Sequence, residues 1–174
     1  MSSIMNPNSL IPVPPSALYA AVLALSSAML SGVLFVFSNF AMKAFSNIAP
    51  GAGVSAMQSI NRAILNPGFL GLFAGTAAGS LAALVIAIRH WQYPASAWVA
   101  AGAMLCLVAC HLVTAGINVP LNHRLDRIDP ASPEAAAAWK GYIARWQPWN
   151  HVRTLASILA AACHVIGALK LAGG

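Results

Sequence analysis

Between Asn118 and Arg153 the chain gathers amide, imidazole, indole and guanidinium groups: Asn118-Val119-Pro120-Leu121-Asn122-His123, then Trp139, Tyr142 and Trp146, then Trp149-Asn150-His151-Val152-Arg153. The flanking segments carry little polar chemistry. Imidazole exchanges protons near neutral pH, so His151 is the candidate general base for a weakly acidic carbon or hydroxyl. Arg153, two residues on and in the first turn of a predicted helix, sits where the helix dipole already favours an anion, and suits an oxyanion or enolate. Asn118, Asn122 and Asn150 have the amide groups to orient a carbonyl or a water. Each has a plainer reading: His151 bonded to backbone or lipid headgroup, Asn150 as a helix cap, Arg153 as a topology or headgroup charge.

Those residues need a scaffold, and the composition says which kind. The chain has 174 residues, 59% hydrophobic and 7% charged, against roughly 25% charged in ordinary soluble domains. Three acidic and nine basic residues cannot form a polar shell around so apolar a sequence, so the chain is expected to be an integral membrane protein. The net charge of +6 comes from scattered basic residues without the clustered stripe that phosphate backbones require, which argues against nucleic acid. Cys106, Cys110 and Cys163 lie in apolar segments with no disulfide-framework spacing. Residues 1–16 are read as a flexible, polar and Pro-rich tail lacking the charged start of a cleaved signal peptide.

Four apolar segments are long enough for membrane spans, at about 20 residues for a core of about 30 Å. They run from about Ala17 to Phe45, Gly68 to Ile88, Ser96 to Val119 and Val152 to Leu171, with Pro14-Pro15, Pro67, Pro94, Pro120 and Pro148 as boundaries. The expected fold is all-α, a single four-helix transmembrane domain over residues 17–172, with a short amphipathic helix in each of the two long connections. In the first, Val54 to Leu65 places Gln58 and Asn61 on one face. In the second, Ser132, Pro133 and Glu134 suit a helix start, and Trp139, Tyr142 and Trp146 form one stripe: an interfacial anchor, a lid or a ligand contact. Gly71, Gly75 and Gly79 repeat at the spacing of close helix packing in lipid.

The short turn after the second span makes its neighbours antiparallel, so both long connections emerge on one side of the membrane. Ser38, Asn39, Gln58, Asn61, Asn118, Asn122, His123 and the Trp149 to Arg153 run should meet at that mouth. Polar groups at membrane depth are costly and mark functional or structural networks. Basic residues concentrate in the long connections, so the positive-inside rule places those in the cytoplasm and both termini outside, in a bacterial inner membrane. His111 and His164, each preceded by a cysteine (Cys110, Cys163), offer an alternative site for haem or copper. Their depths, about 12 and 18 Å from the shared face at 1.5 Å per residue, match poorly for two axial ligands. Interhelical hydrogen bonding is the competing reading.

Gly32-Val33-Leu34-Phe35, Met57-Gln58-x-x-Asn61, Asn66-Pro67, Asn118-Val119-Pro120-Leu121-Asn122 and Trp146-x-x-Trp149-Asn150-His151-Val152-Arg153-Thr154 together resemble the DUF1772 family, the anthrone oxygenase-like integral membrane proteins. The resemblance runs from about Leu18 to Leu169; its last two motifs are specific and the others weak. It implies kinship with enzymes that oxidise an anthrone methylene to a quinone carbonyl with oxygen, with no added flavin or haem. On that basis His151 is expected to remove the methylene proton and Arg153 with Asn118 or Asn122 to stabilise the anion. Trp149, Trp146 and Phe35 would stack on a flat hydrophobic substrate entering from the lipid, with Asn150, Asn39, Gln58 and Asn61 completing the pocket. The alternatives are a non-enzymatic membrane protein binding a lipid, quinone or partner helix, or a haem- or copper-binding bundle. Membrane lipid and an aromatic small molecule are the expected partners, with a homo-oligomer possible.

Overall fold

The computed structural model describes residues 13–173, which leaves most of the expected N-terminal tail outside the described residues. Four long apolar helices form the bundle: α1 (Pro15–Ser46), α3 (Pro67–Arg89), α4 (Pro94–Leu125) and α5 (Ala135–Gly173). A shorter amphipathic helix, α2 (Pro50–Ala63), fills the connection between α1 and α3. The all-α membrane bundle anticipated from composition is therefore the fold.

Local sequence explains the starts. Pro15, Pro50, Pro67 and Pro94 each occupy the first helical turn, where the missing N–H would have had no partner anyway. Asn66 caps α3 by accepting from the Phe69 N–H at 3.0 Å.

Two other prolines depart from the expectation. Pro120 lies within α4 and Pro148 within α5, so the amphipathic segment with Trp139, Tyr142 and Trp146 is continuous with the fourth span. In soluble helices an interior proline removes a backbone hydrogen bond and usually ends the helix. In a bundle, neighbouring helices can hold such a turn, and two residues before Pro148 Asn118 Nδ2 donates to the Trp146 carbonyl at 3.2 Å. At 1.5 Å per residue the 39 residues of α5 extend about 58 Å, well beyond a hydrocarbon core of about 30 Å. The first part of α5 therefore projects out of the membrane.

That projecting end is organised by a packed cap. Met42, Val54, Met57, Leu121, Leu125, Trp139, Tyr142 and Trp146 form one buried cluster. The aromatic stripe stacks in sequence, with centroids 5.7 Å apart for Trp139–Tyr142 and 5.9 Å for Tyr142–Trp146. It is a lid on the bundle. Gly53 permits it: a Cβ there would stand 2.6 Å from Cε2 of Trp139. Gln58 Nε2 ties the same cap together by donating to the carbonyls of Leu125 and Ile128, each at 2.9 Å.

Helix contact in the membrane is less uniform than the glycine spacing suggested. Gly79 packs closely on α1, with a Cβ position 2.8 Å from Leu23, whereas Gly71 and Gly75 have nothing within 4 Å. Tyr19 reinforces the Gly79 contact by donating to its carbonyl at 2.7 Å. The helices α1 and α3 thus meet closely at the Gly79 level, and the space between them near the capped end is a cavity.

Candidate active site

The cavity has a volume of about 380 Å³. One wall is apolar: Leu30, Val33, Leu34 and Phe37 from α1, and Phe69, Leu70 and Phe73 from α3. The other carries the polar groups: Cys110, Thr114, Asn122 and His123 from α4, Asp126 just after its end, and Asn150 and Arg153 from α5. Asn61 and Arg62 of α2 close one end. Such a space suits a molecule that is largely hydrophobic with a few polar atoms.

Widened helical turns line this space. The stretches Phe37–Ala41, Leu105–Leu112 and Thr114–Asn118 are π-helical, and Phe37, Cys110 and Thr114 from them face the cavity. Inserted π turns shift the side-chain register of everything after them and recur at functional sites.

Arg153 is the dominant charge. Its side chain is 5% exposed. Nη1 donates to Thr114 Oγ1 at 3.0 Å, Nη2 donates to Asn150 Oδ1 at 2.7 Å, and Cζ lies 5.3 Å from the Trp146 ring centroid. Nε has no hydrogen-bond partner. Asn150 is held in turn: its Nδ2 donates to the Leu34 carbonyl at 2.9 Å and to Ser38 Oγ at 2.8 Å. Among the described residues the only ion pair is Arg62–Asp126, at 2.8 Å, so no carboxylate neutralises Arg153. A buried ion costs several kcal/mol even after relaxation. Hydrogen bonds to a charged group, about 1.5–3 kcal/mol each, and a desolvated cation–π contact of about 2 offset part of that cost. The guanidinium consequently presents an uncompensated positive charge to an apolar cavity.

The sequence-derived candidates divide into two sets. Asn122, Asn150, Arg153, Trp146 and Asn61 line the cavity together. Tyr142 donates to Asn122 Oδ1 at 2.9 Å, which fixes that amide. Asn118 is buried beside them, with its Oδ1 unpartnered. His151 does not join them: it is exposed and does not line the cavity. The cause is the continuous helix. Positions two apart on an α-helix are about 200° apart around the axis, so with Arg153 inward His151 must turn outward. Phe35 is turned outward for the same reason while Phe37 faces in, set edge-on to Trp146 at 5.9 Å. Asn39 is exposed, Trp149 lines a shallow groove with Pro120 and Pro148, and Gln58 is committed to the cap.

His111 and His164 are not brought together as a metal pair. His111 Nε2 lies 2.9 Å from the Phe73 carbonyl of α3, the interhelical bonding anticipated as the plainer reading, while its Nδ1 lies 2.8 Å from the Cys106 carbonyl of its own helix and the ring nitrogens of His164 have no hydrogen-bond partner. His164 packs on Gly102, where a Cβ would stand 2.8 Å from its ring. Among the described residues no three of His, Cys, Asp or Glu converge in a geometry for a metal ion.

Phe37, Phe69, Phe73 and Thr114 were missed from sequence because apolar residues and a lone threonine in a span carry no distinguishing signal. The outward turn of Asn39 and the inward turn of Phe37 both follow from local helix register, which single-residue chemistry does not report. A family model described as anthrone oxygenase matches residues 66–163. The match takes in Asn122, Asn150 and Arg153. No curated protein and no solved structure matches the chain.

Proposed function

Because the chain belongs to the anthrone oxygenase family, we propose that its cavity binds a flat, oxidisable aromatic of anthrone or hydroquinone type as an oxygen anion at Arg153 and exposes it to molecular oxygen. The observation that carries this reading is the buried guanidinium with no carboxylate partner, at the polar wall of an otherwise aromatic and aliphatic space. Phe37, Phe69, Phe73 and Trp146 supply faces for ring stacking.

The chemistry follows from the charge. Loss of a proton from a doubly benzylic methylene moves an electron pair through the ring onto the carbonyl oxygen. That oxygen is where negative charge develops, and a preorganised guanidinium in a water-poor site stabilises it strongly. The electron-rich anion reacts with oxygen at the former methylene carbon to give a peroxide. Loss of water from the peroxide yields the ketone, so one CH2 and one O2 become one C=O and one H2O. Asn150 and Thr114 hold the guanidinium in place, and Asn122 offers an amide for a second substrate oxygen.

Lateral entry from the bilayer suits the cavity, since the residues it takes from α1 and α3 are apolar. Lys43, Arg62, Arg124, Arg127, Lys140 and Arg145 lie toward the capped end and Arg89 and Lys170 toward the other, which supports a cytoplasmic cap and outward termini. The test is oxygen consumption by the purified protein with a panel of anthrones and hydroquinones. Uptake above the uncatalysed rate for at least one supports the reading, and uptake at the protein-free rate for all of them removes it.

A further inference from the structure

We infer that His123, rather than the outward-facing His151, is the proton acceptor of this cavity. The inference rests on the reading that the cavity takes an anthrone-like substrate. The ionisable residues lining it are Arg62, Cys110, His123, Asp126 and Arg153. The two arginines carry no lone pair for the task. Asp126 is engaged in an ion pair with Arg62 at 2.8 Å. Cys110 also lines the cavity but is fully buried, beside Arg153, with no exposed surface of its own. His123 both lines the cavity and is exposed, so it can take a proton from a bound molecule and release it outside. Imidazole is the side chain suited to that exchange near neutral pH.

The placement matches the electron flow. Thr114, which holds Arg153, and His123 are nine residues apart on α4, so they line the cavity at different levels along the axis. In an anthrone the acidic methylene and the carbonyl oxygen lie on opposite edges of the central ring. A base at one end of the cavity and a cation at the other therefore address both edges of one molecule. The methylene C–H bond breaks, the proton passes to an imidazole nitrogen, and the electron pair comes to rest on the oxygen at Arg153. Returning a proton from solvent reverses the step.

That reversibility supplies a test that needs no oxygen. The purified protein is incubated with anthrone in D2O under argon, and deuterium entering the methylene is followed by mass spectrometry. Wild type should accelerate exchange over the protein-free rate. His123→Ala and His123→Gln should each lower the acceleration by about 100-fold, the usual scale of a general base, and added imidazole should restore exchange to His123→Ala. Undiminished exchange in both variants overturns the assignment, as does a loss that imidazole does not rescue and that comes with a lowered thermal midpoint. Wild-type exchange that both variants lose and imidazole restores, without aerobic oxygen uptake, would sustain His123 and sink the oxygenase reading. Acceleration of neither process would overturn both.

Discussion

Asn150 and Arg153, one helical turn apart on α5, are joined by a 2.7 Å hydrogen bond from Nη2 to Oδ1, and the amide nitrogen of the same asparagine reaches across to Leu34 and Ser38 of α1. One side chain thus couples helix packing to the position of the buried charge. Asn150→Ala removes three hydrogen bonds and leaves a guanidinium nitrogen short of an acceptor. The expected cost is about 2–4 kcal/mol of stability, seen as a lower thermal midpoint in detergent, together with slower oxygen uptake.

Asn150→Asp keeps an acceptor for Arg153 while removing the amide donor to Leu34 and Ser38. A carboxylate beside Arg153 forms the ion pair that the native site lacks, so the cavity loses its affinity for an anion. Binding of a fluorescent anthrone-type phenolate should weaken by at least about tenfold, or about 1.4 kcal/mol. Unchanged binding would mean that the free positive charge does not hold the ligand.

Phe37 and Phe35 provide an internal comparison of inward and outward aromatics. Phe37 meets Trp146 at 5.9 Å and lines the cavity, while Phe35 is about half exposed on the other side of α1. Phe37→Ala should raise KM for an aromatic substrate by about fivefold, given about 1 kcal/mol for a lost aromatic contact beyond area. Phe35→Ala should leave KM within about twofold, as expected for a surface change.

Gly53 is the residue on which the aromatic lid closes. Any Cβ there meets the Trp139 indole. Gly53→Val should destabilise the cap by about 1–3 kcal/mol through overpacking, shifting tryptophan emission and lowering the thermal midpoint. A native midpoint and spectrum would show that Trp139 has room to move.

The membrane bundle was legible in sequence because 20-residue apolar runs bounded by proline have few other solutions. The polar contributors Asn122, Asn150 and Arg153 were legible too, since amides and a guanidinium at membrane depth stand out. Facing was not. Placing the fourth helix start at Val152 left His151 free to point anywhere; the helix that runs through Pro148 fixes it about 200° from Arg153. The inward turn of Phe37 accompanies the π turn that begins at Phe37, for which sequence periodicity at 3.6 carries no marker. Gly71, Gly75 and Gly79 looked alike in spacing, yet only Gly79 packs closely, while Gly71 and Gly75 are exposed with open space around them.

The central claim is that Arg153 holds the substrate anion, and Arg153→Met tests it most directly. Methionine fills much of the same volume, and replacing a buried charge by an apolar side chain is often neutral or stabilising. With oxygen uptake on an anthrone and the thermal midpoint measured on the same preparations, the variant should keep or raise its midpoint while turnover falls by about 100-fold or more, the scale of losing an oxyanion donor. A variant that folds equally well and consumes oxygen at the wild-type rate would contradict the account.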